Sequence, residues 1–162
     1  MTAMNELQII EMFAGTDGNG QAVVEKLQVL TDEKQQCRLV KSPAFVKGVA
    51  SGDKIKFNPE TQQFELSERS GNLCIRVFSR TEMGMLSELL TPEMEKLGGE
   101  LDIETSRLLV YSIHVSCGFS AIESLLEKHV KMPNYGWMYG NVYDPNDGIT
   151  PLNWWHDILK PQ

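Results

Sequence analysis

The chain has 162 residues, 41% of them hydrophobic, and a formal charge of −7. That is apolar material for one ordinary core or two small ones sharing an interface, and the acidic balance gives phosphate backbones no general attraction, since sequence-independent nucleic-acid binding depends on clustered Lys and Arg. Cys37, Cys74 and Cys117 are odd in number, widely spaced and without a paired CxxC, so they read as buried thiols of a reducing compartment rather than a disulfide framework or zinc knuckle.

The opening segment MTAMNELQIIEMF carries Glu6 and Glu11 where a secretory signal needs a basic start and an uninterrupted apolar run, and no later stretch approaches membrane-spanning length. A cytoplasmic protein with no membrane contact is expected. Residues 4 to 14 are extended in character, GTDGNG (15–20) supplies a hairpin turn, and AVVEKLQVLT returns. DEK followed by QCRLVKS predicts a second hairpin. KIKFN and QFELSE alternate around NPET, with Ile55, Phe57, Phe64 and Leu66 as the inward set. Residues 1–71 therefore read as a small all-β, barrel-like domain of about five short strands.

The pattern changes after RSGN. LCIRVF places Leu73, Ile75 and Val77 on one strand face and Cys74, Arg76 and Phe78 on the other. Ser79 and Glu82 stand at capping-box spacing ahead of Met83, Leu86, Leu90, Met94 and Leu97, with Thr91-Pro92 expected to kink or restart that helix and Gly98-Gly99 to end it. ELDIET and SRLLVYSIHV follow as strands, with Leu109, Tyr111, Ile113 and Val115 on one side. Ser120 and Glu123 repeat the capping-box spacing before Ile122, Leu125, Leu126 and Val130, and WMYGNVYD reads as a last strand. The order strand, helix, strand, strand, helix, strand over 72–143 is that of a ferredoxin-like βαββαβ unit. The fold class is thus α+β: a barrel-like unit, then a ferredoxin-like unit, then a tail over 144–162 bearing Trp154 and Trp155.

In a ferredoxin-like unit both helices cover one sheet face. The other face here carries Cys74, Arg76, Phe78, Val110, Ser112 and His114, and is the expected place for a domain interface or a ligand. Cys74, Arg76 and His114 are the candidate binding residues there, with Trp154 and Trp155 as candidate interface anchors. The aromatic group from Tyr135 to Tyr143, with the tail tryptophans, is read as docking on the protein's own core, since a loose Trp pair is an aggregation hazard. His114 and Cys117 point to opposite faces of an extended strand, and buried thiols are usually inert, so no catalytic residue is assigned. Three scattered histidines make no metal site, and no cofactor is implied. Glu93, Glu95, Glu123 and Glu127 read as solvated helix carboxylates.

The stretch SPAFVKGVASGDKIKF poses a choice between a ligand cradle and a corner. A phosphate cradle needs a Gly-rich loop opening a helix so that amide dipoles converge, and this loop opens a strand. It reads as a corner, with Gly52 permitting the turn, Asp53 bonding local amides and Phe45 plugging one end of the barrel. In the order VEKLQVL, SPAFVKGVASGD, KIKF, FELSERSGN and IRVF, the chain resembles a bacterial family of domains of unknown function, numbered 4265 among such families. The matching positions are Phe45, Gly48, Val49, Gly52, Asp53, Arg69, Ser70 and Gly71, read as structural. The resemblance implies a cytosolic bacterial protein and brings no activity, cofactor or catalytic residue. Arg69 and Asp53 flank one hairpin, and a side-chain ion pair or hydrogen bond between them is expected to lock the junction of the two units.

Function is expected to be that of a non-enzymatic protein-binding or regulatory module. Its narrower form is an antidote or immunity-type protein whose acidic surface meets a basic protein partner. The alternative is a small-ligand binder or enzyme using the cleft between the units. Ferredoxin-like sheets also pair across an edge or open face, which makes a homodimer compatible with the pattern.

Overall fold

The computed structural model describes residues 6–31 and 36–159. Strands β1 (Glu6–Thr16) and β2 (Ala22–Thr31) form the first hairpin, closed by Asp17, whose side chain accepts the N–H groups of Asn19 and Gln21. β3 (Gln36–Leu39), β4 (Lys54–Asn58) and β5 (Gln63–Glu68) complete an antiparallel meander in the order β1-β2-β3-β4-β5. The DEK turn expected between β2 and β3 lies outside the described residues.

This sheet does not close into a barrel, contrary to the expectation. β1 and β5 approach where the Phe13 N–H donates to the Gln62 carbonyl at 2.9 Å, and no β1–β5 ladder forms among the described residues. The physical reason lies in β5. Closure needs inward apolar side chains on the last strand, whereas Phe64 is only half-buried and Leu66 is exposed. The concave side is filled by Met12, Leu27, Val29, Leu39 and Ile55. Phe45 does not plug it, being 58% exposed; its neighbours Val46 and Val49 turn inward instead.

The second sheet contains β6 (Asn72–Ser79), β7 (Glu100–Glu104), β8 (Leu108–His114) and β9 (Tyr135–Tyr139) in the order β7-β8-β6-β9, every pairing antiparallel. Helix α1 (Leu86–Lys96) connects β6 to β7 and α2 (Phe119–His129) connects β8 to β9. Their apolar stripes, Leu86, Leu90 and Met94 on α1 and Ile122, Leu125 and Leu126 on α2, pack on Leu73, Ile75, Val77, Leu109, Tyr111 and Ile113. The molecule is therefore a mixed α+β protein built on two antiparallel sheets.

Local signals shift the boundaries. Ser79 ends β6 and its hydroxyl donates to the Glu82 carbonyl, so it caps no helix and α1 starts only at Leu86. α2 likewise starts at Phe119, behind Gly118, which leaves Ser120 inside it. Pro92 lies within α1 without ending it. Beside it, Thr91 bonds the Tyr111 hydroxyl at 2.6 Å and ties the helix to the sheet. The carboxylate of Glu93 joins the helices by bonding Lys128 (3.1 Å) and His129. No helix among the described residues is long and apolar enough to cross a membrane.

Leu90 is fully buried and Phe45 largely exposed, which separates their roles. Leu90→Ala should cost about 3 kcal/mol in urea denaturation through lost burial and the cavity left behind, while Phe45→Ala should leave the midpoint nearly unchanged.

Candidate functional site

The connection from β3 to β4, residues 40–53, lies across the helix-free face of the second sheet. On β2 the pleat sets Glu25 on the same side as Leu27 and Val29, an inward position for a charged residue. Its carboxylate accepts the backbone N–H of Ala44 at 2.6 Å through Oε2, and those of Phe45 and Val46, both at 2.9 Å, through Oε1. From the other sheet Arg76, only 4% exposed, reaches the same segment. Its Nε donates to the Pro43 carbonyl at 3.2 Å and its Nη2 to the Val46 carbonyl. Residues 43–46 are thus held by their amides from one sheet and by their carbonyls from the other.

A hydroxyl and amide cluster continues the contact. The Asp102 carboxylate accepts the Ser42 N–H at 2.8 Å and the Ser112 hydroxyl at 2.5 Å, and Ser112 in turn contacts Ser42 (2.5 Å) and Ser51 (2.8 Å). The Asn72 side chain donates to the Ser51 carbonyl, and Asn141 bridges the Cys74 N–H and the Asn72 carbonyl at 2.9 Å each. Among the described residues no buried side-chain nitrogen or oxygen lacks a partner. Each of these groups would carry a desolvation cost if left unmatched, so the face is consumed in holding the two sheets together.

The glycine, aspartate and arginine positions of the β3–β4 connection and of residues 69–71 surround this contact. Asp53 accepts the N–H groups of Ala50 and Ser70 and the Ser70 hydroxyl. Burial pushes its carboxyl up from the usual range, while those bonds and the nearby Arg69 charge pull it back. Gly52 sits at φ +83°, where an added Cβ would come within 2.8 Å of Ser70 Cβ, and Gly71 at φ +98° is the seat on which the His114 ring rests. Gly48 donates its N–H to the Gly140 carbonyl at 2.8 Å. The expected Arg69–Asp53 ion pair is not formed. Asp53 is saturated by nearer donors, and Arg69 instead donates to the Gly48 carbonyl at 3.0 Å with its guanidinium 5.1 Å from the Trp154 ring centroid.

Cys74, Arg76 and His114 share a face but do not converge. β6–β8 register sets Cys74 opposite Ser112 and His114 opposite Asn72. Cys74 is fully buried, and burial pushes its thiol up to about 11 despite the Arg76 charge. His114 is exposed and its Nδ1 bonds the Ser116 hydroxyl at 2.8 Å. Trp154 and Trp155 are half-buried. Trp154 Nε1 donates to the Asn141 carbonyl at 2.9 Å, and Trp155 meets the Phe119 ring edge-to-face at 5.2 Å, continuing a run through Tyr139 to Trp137.

Sequence reading did not single out Glu25, Ser42, Ser51, Asn72, Asp102 or Asn141. A usable signal existed for Glu25, a charge at an inward strand position. Asp102 and Asn141 carried none, since their partners lie far along the chain. Glu123 was read as solvated, yet it accepts the Tyr139 hydroxyl at 2.9 Å, and burial with that carboxylate raises the phenol's pKa. Two open concavities lie away from the junction. One of about 560 Å³ runs along the β4–β5 hairpin past Lys56, Phe57, Glu60 and Phe64, and one of about 280 Å³ is lined by Ile10, Thr31, Cys37 and Phe57. Among the described residues no group of three His, Cys, Asp or Glu side chains is placed to hold a metal ion.

The geometry defines a class: two antiparallel sheets joined through a buried polar strap. The chain belongs to the family described as domain of unknown function DUF4265, whose model matches residues 25–137. Among solved structures it is similar in fold to a hypothetical protein from Neisseria gonorrhoeae, with a TM-score of 0.64 and 14% identity over 85% of this chain and 95% of that one. No curated protein gives a significant match.

Two outcomes test the junction. Glu25→Ala and Arg76→Met should each destabilise by about 3 kcal/mol, because each leaves buried backbone groups unpaired. The double variant should cost less than the sum, since both grip one segment. Thiol labelling of the folded protein at pH 8 should spare Cys74 and modify the half-buried Cys117 first; fast Cys74 labelling would show that the strap opens.

Proposed function

We propose that this protein is a non-enzymatic protein-binding or regulatory module of the bacterial cytoplasm. Its units on this reading are a small all-β domain over 1–71, a ferredoxin-like domain over 72–143 and a Trp-containing C-terminal tail over 144–162. The ferredoxin-like assignment is supported by the order β7-β8-β6-β9 with a helix in each of the β6–β7 and β8–β9 connections. One observation carries the functional reading. Cys74, Arg76 and Ser112 of the helix-free face are buried against residues 42–53 and His114 is turned to Ser116, while large apolar side chains stay exposed at its other end: Phe78 is 44% and Met138 40% exposed. An immunity-type role with a basic partner is the narrower form, supported by the net charge of −7.

A second reading, binding of a small apolar ligand, draws support from the half-buried rings of Phe57 and Phe64 beside the two concavities. It moves the ligand from the junction, where Cys74 and Arg76 are covered, to the mouth of the first sheet.

Native mass spectrometry of the protein purified gently from its own host separates the two. A stoichiometric protein partner is expected. A retained small molecule, lost on Phe57→Ala, would replace the module reading with the ligand-binding one.

A further inference from the structure

The segment 42–53 covers only part of the second sheet's helix-free face. Along β6 the exposure rises from Cys74 and Arg76, both buried, to Phe78, whose cross-strand neighbours are Leu108 on β8 and Gly136 on β9. Gly136 offers no side chain, and an added Cβ there would fall 2.5 Å from the Phe78 ring, so the ring lies over β9 toward the sheet edge. Met138, paired with Arg76, continues the apolar surface. Phe45, on the segment whose carbonyls Arg76 holds, and Met132, three residues ahead of β9, are also exposed, at 58% and 76%. β9 is an edge strand, paired with β6 alone among the described residues.

The charge at this end is opposite to that of the whole chain. Arg80 follows β6 directly and donates its N–H to the Asn134 carbonyl, the Arg107 carbonyl accepts the Ser79 N–H, and the Lys131 carbonyl accepts the Tyr135 N–H. All three side chains are exposed, and none forms an ion pair among the described residues. The exposed carboxylates on the same segments are Glu82 and Glu104, while Asp102 on β7 is turned to Ser42 and Ser112, so three cations face two free carboxylates in a protein of charge −7.

We infer that this end of the sheet docks an extended segment of a protein partner in which apolar and acidic residues alternate. The segment adds to the β9 edge, sets its apolar side chains on Phe78 and Met138, and turns its carboxylates toward Arg80 and the neighbouring cations. Edge addition supplies main-chain hydrogen bonds, alternate side chains give specificity, and the local positive charge selects the sign of the partner. The inference rests on the binding-module reading and reverses, at this surface, the partner charge that the net charge favours.

The test uses the full-length ¹⁵N-labelled chain with an alternating Leu–Glu decapeptide, its Leu–Lys counterpart and phosphatidylglycerol vesicles. The Leu–Glu peptide should shift the amides of Phe78 to Arg80 and of Gly136 to Met138, and should bind more weakly as salt is raised. Its affinity should fall about tenfold or more on Phe78→Ser and on Arg80→Glu. Both side chains are exposed, so both variants should keep the wild-type melting temperature. Should Phe78→Ser fail to fold, Arg80→Glu alone carries the test. Equal binding of the Leu–Lys peptide at these amides, binding of the vesicles in place of the peptide, or no shift at either strand would overturn the inference. A host partner that still binds Phe78→Ser would overturn this surface and leave the module reading standing, whereas a host complex holding only a small molecule would remove both.

Discussion

Two buried charges grip one four-residue stretch of backbone, and the relation between the sheets depends on it. Glu25 takes three amides of residues 44–46 while Arg76 takes the carbonyls of Pro43 and Val46, so the charges meet through peptide groups rather than through each other. Withdrawing a charge from water costs several kcal/mol even after relaxation. Hydrogen bonds to charged groups return about 1.5–3 kcal/mol each, and they do so only when every partner is in place. The strap therefore has one workable position. A slide of the segment by one residue would present the wrong backbone groups to both side chains at once.

That constraint explains the polarity of the surrounding face. Ser42, Ser51, Ser112, Asn72, Asp102 and Asn141 form a satisfied cluster along the strap, drawn from the strap itself, from the second sheet and from the chain after β9. The tail adds a second brace, with Trp154 bonded to the Asn141 carbonyl and stacked against Arg69, whose guanidinium also holds the Gly48 carbonyl. Residues that look like isolated motif positions thus belong to one connected junction. A face with so many hydroxyl, amide and charged groups resembles a reactive site in sequence, yet here the groups under the strap satisfy one another's hydrogen-bonding demand, and His114 at its margin is bonded to Ser116.

The functional reading follows from what the junction leaves over. Past the strap the same sheet face turns apolar, carries a ring over a glycine of β9, and is bordered by exposed cations that form no ion pair among the described residues. Net charge describes long-range attraction for the molecule as a whole, while recognition at contact distance is set by the groups within a Debye length of about 8–10 Å. The two point in opposite directions on this protein, and the local one governs a docked segment.

Much of the fold was legible because it is local. The Asp17 turn, the alternation along β4 and β6, and the i, i+4 spacing of Leu86, Leu90 and Met94 each depend on neighbours within one or two turns of chain. The open form of the first sheet was not, because closure depends on whether β5 can bury side chains against β1, a contact between strands at opposite ends of the unit. Phe45 and Leu66 show the same limit: a large apolar residue in a motif or at an alternating position names no partner, and both remain at the surface. Sequence by itself determined the strand and helix types and the helix-covered core, since periodicity and turn chemistry act over a few residues. Only the tertiary structure decided that Arg69 serves Gly48 and Trp154 instead of Asp53, that Cys74 and Arg76 are sealed beneath the strap, and that Glu25 holds it from across the sheets. Those outcomes turn on hydrogen-bond geometry and burial between residues separated by tens of positions, where composition and spacing carry no information about distance.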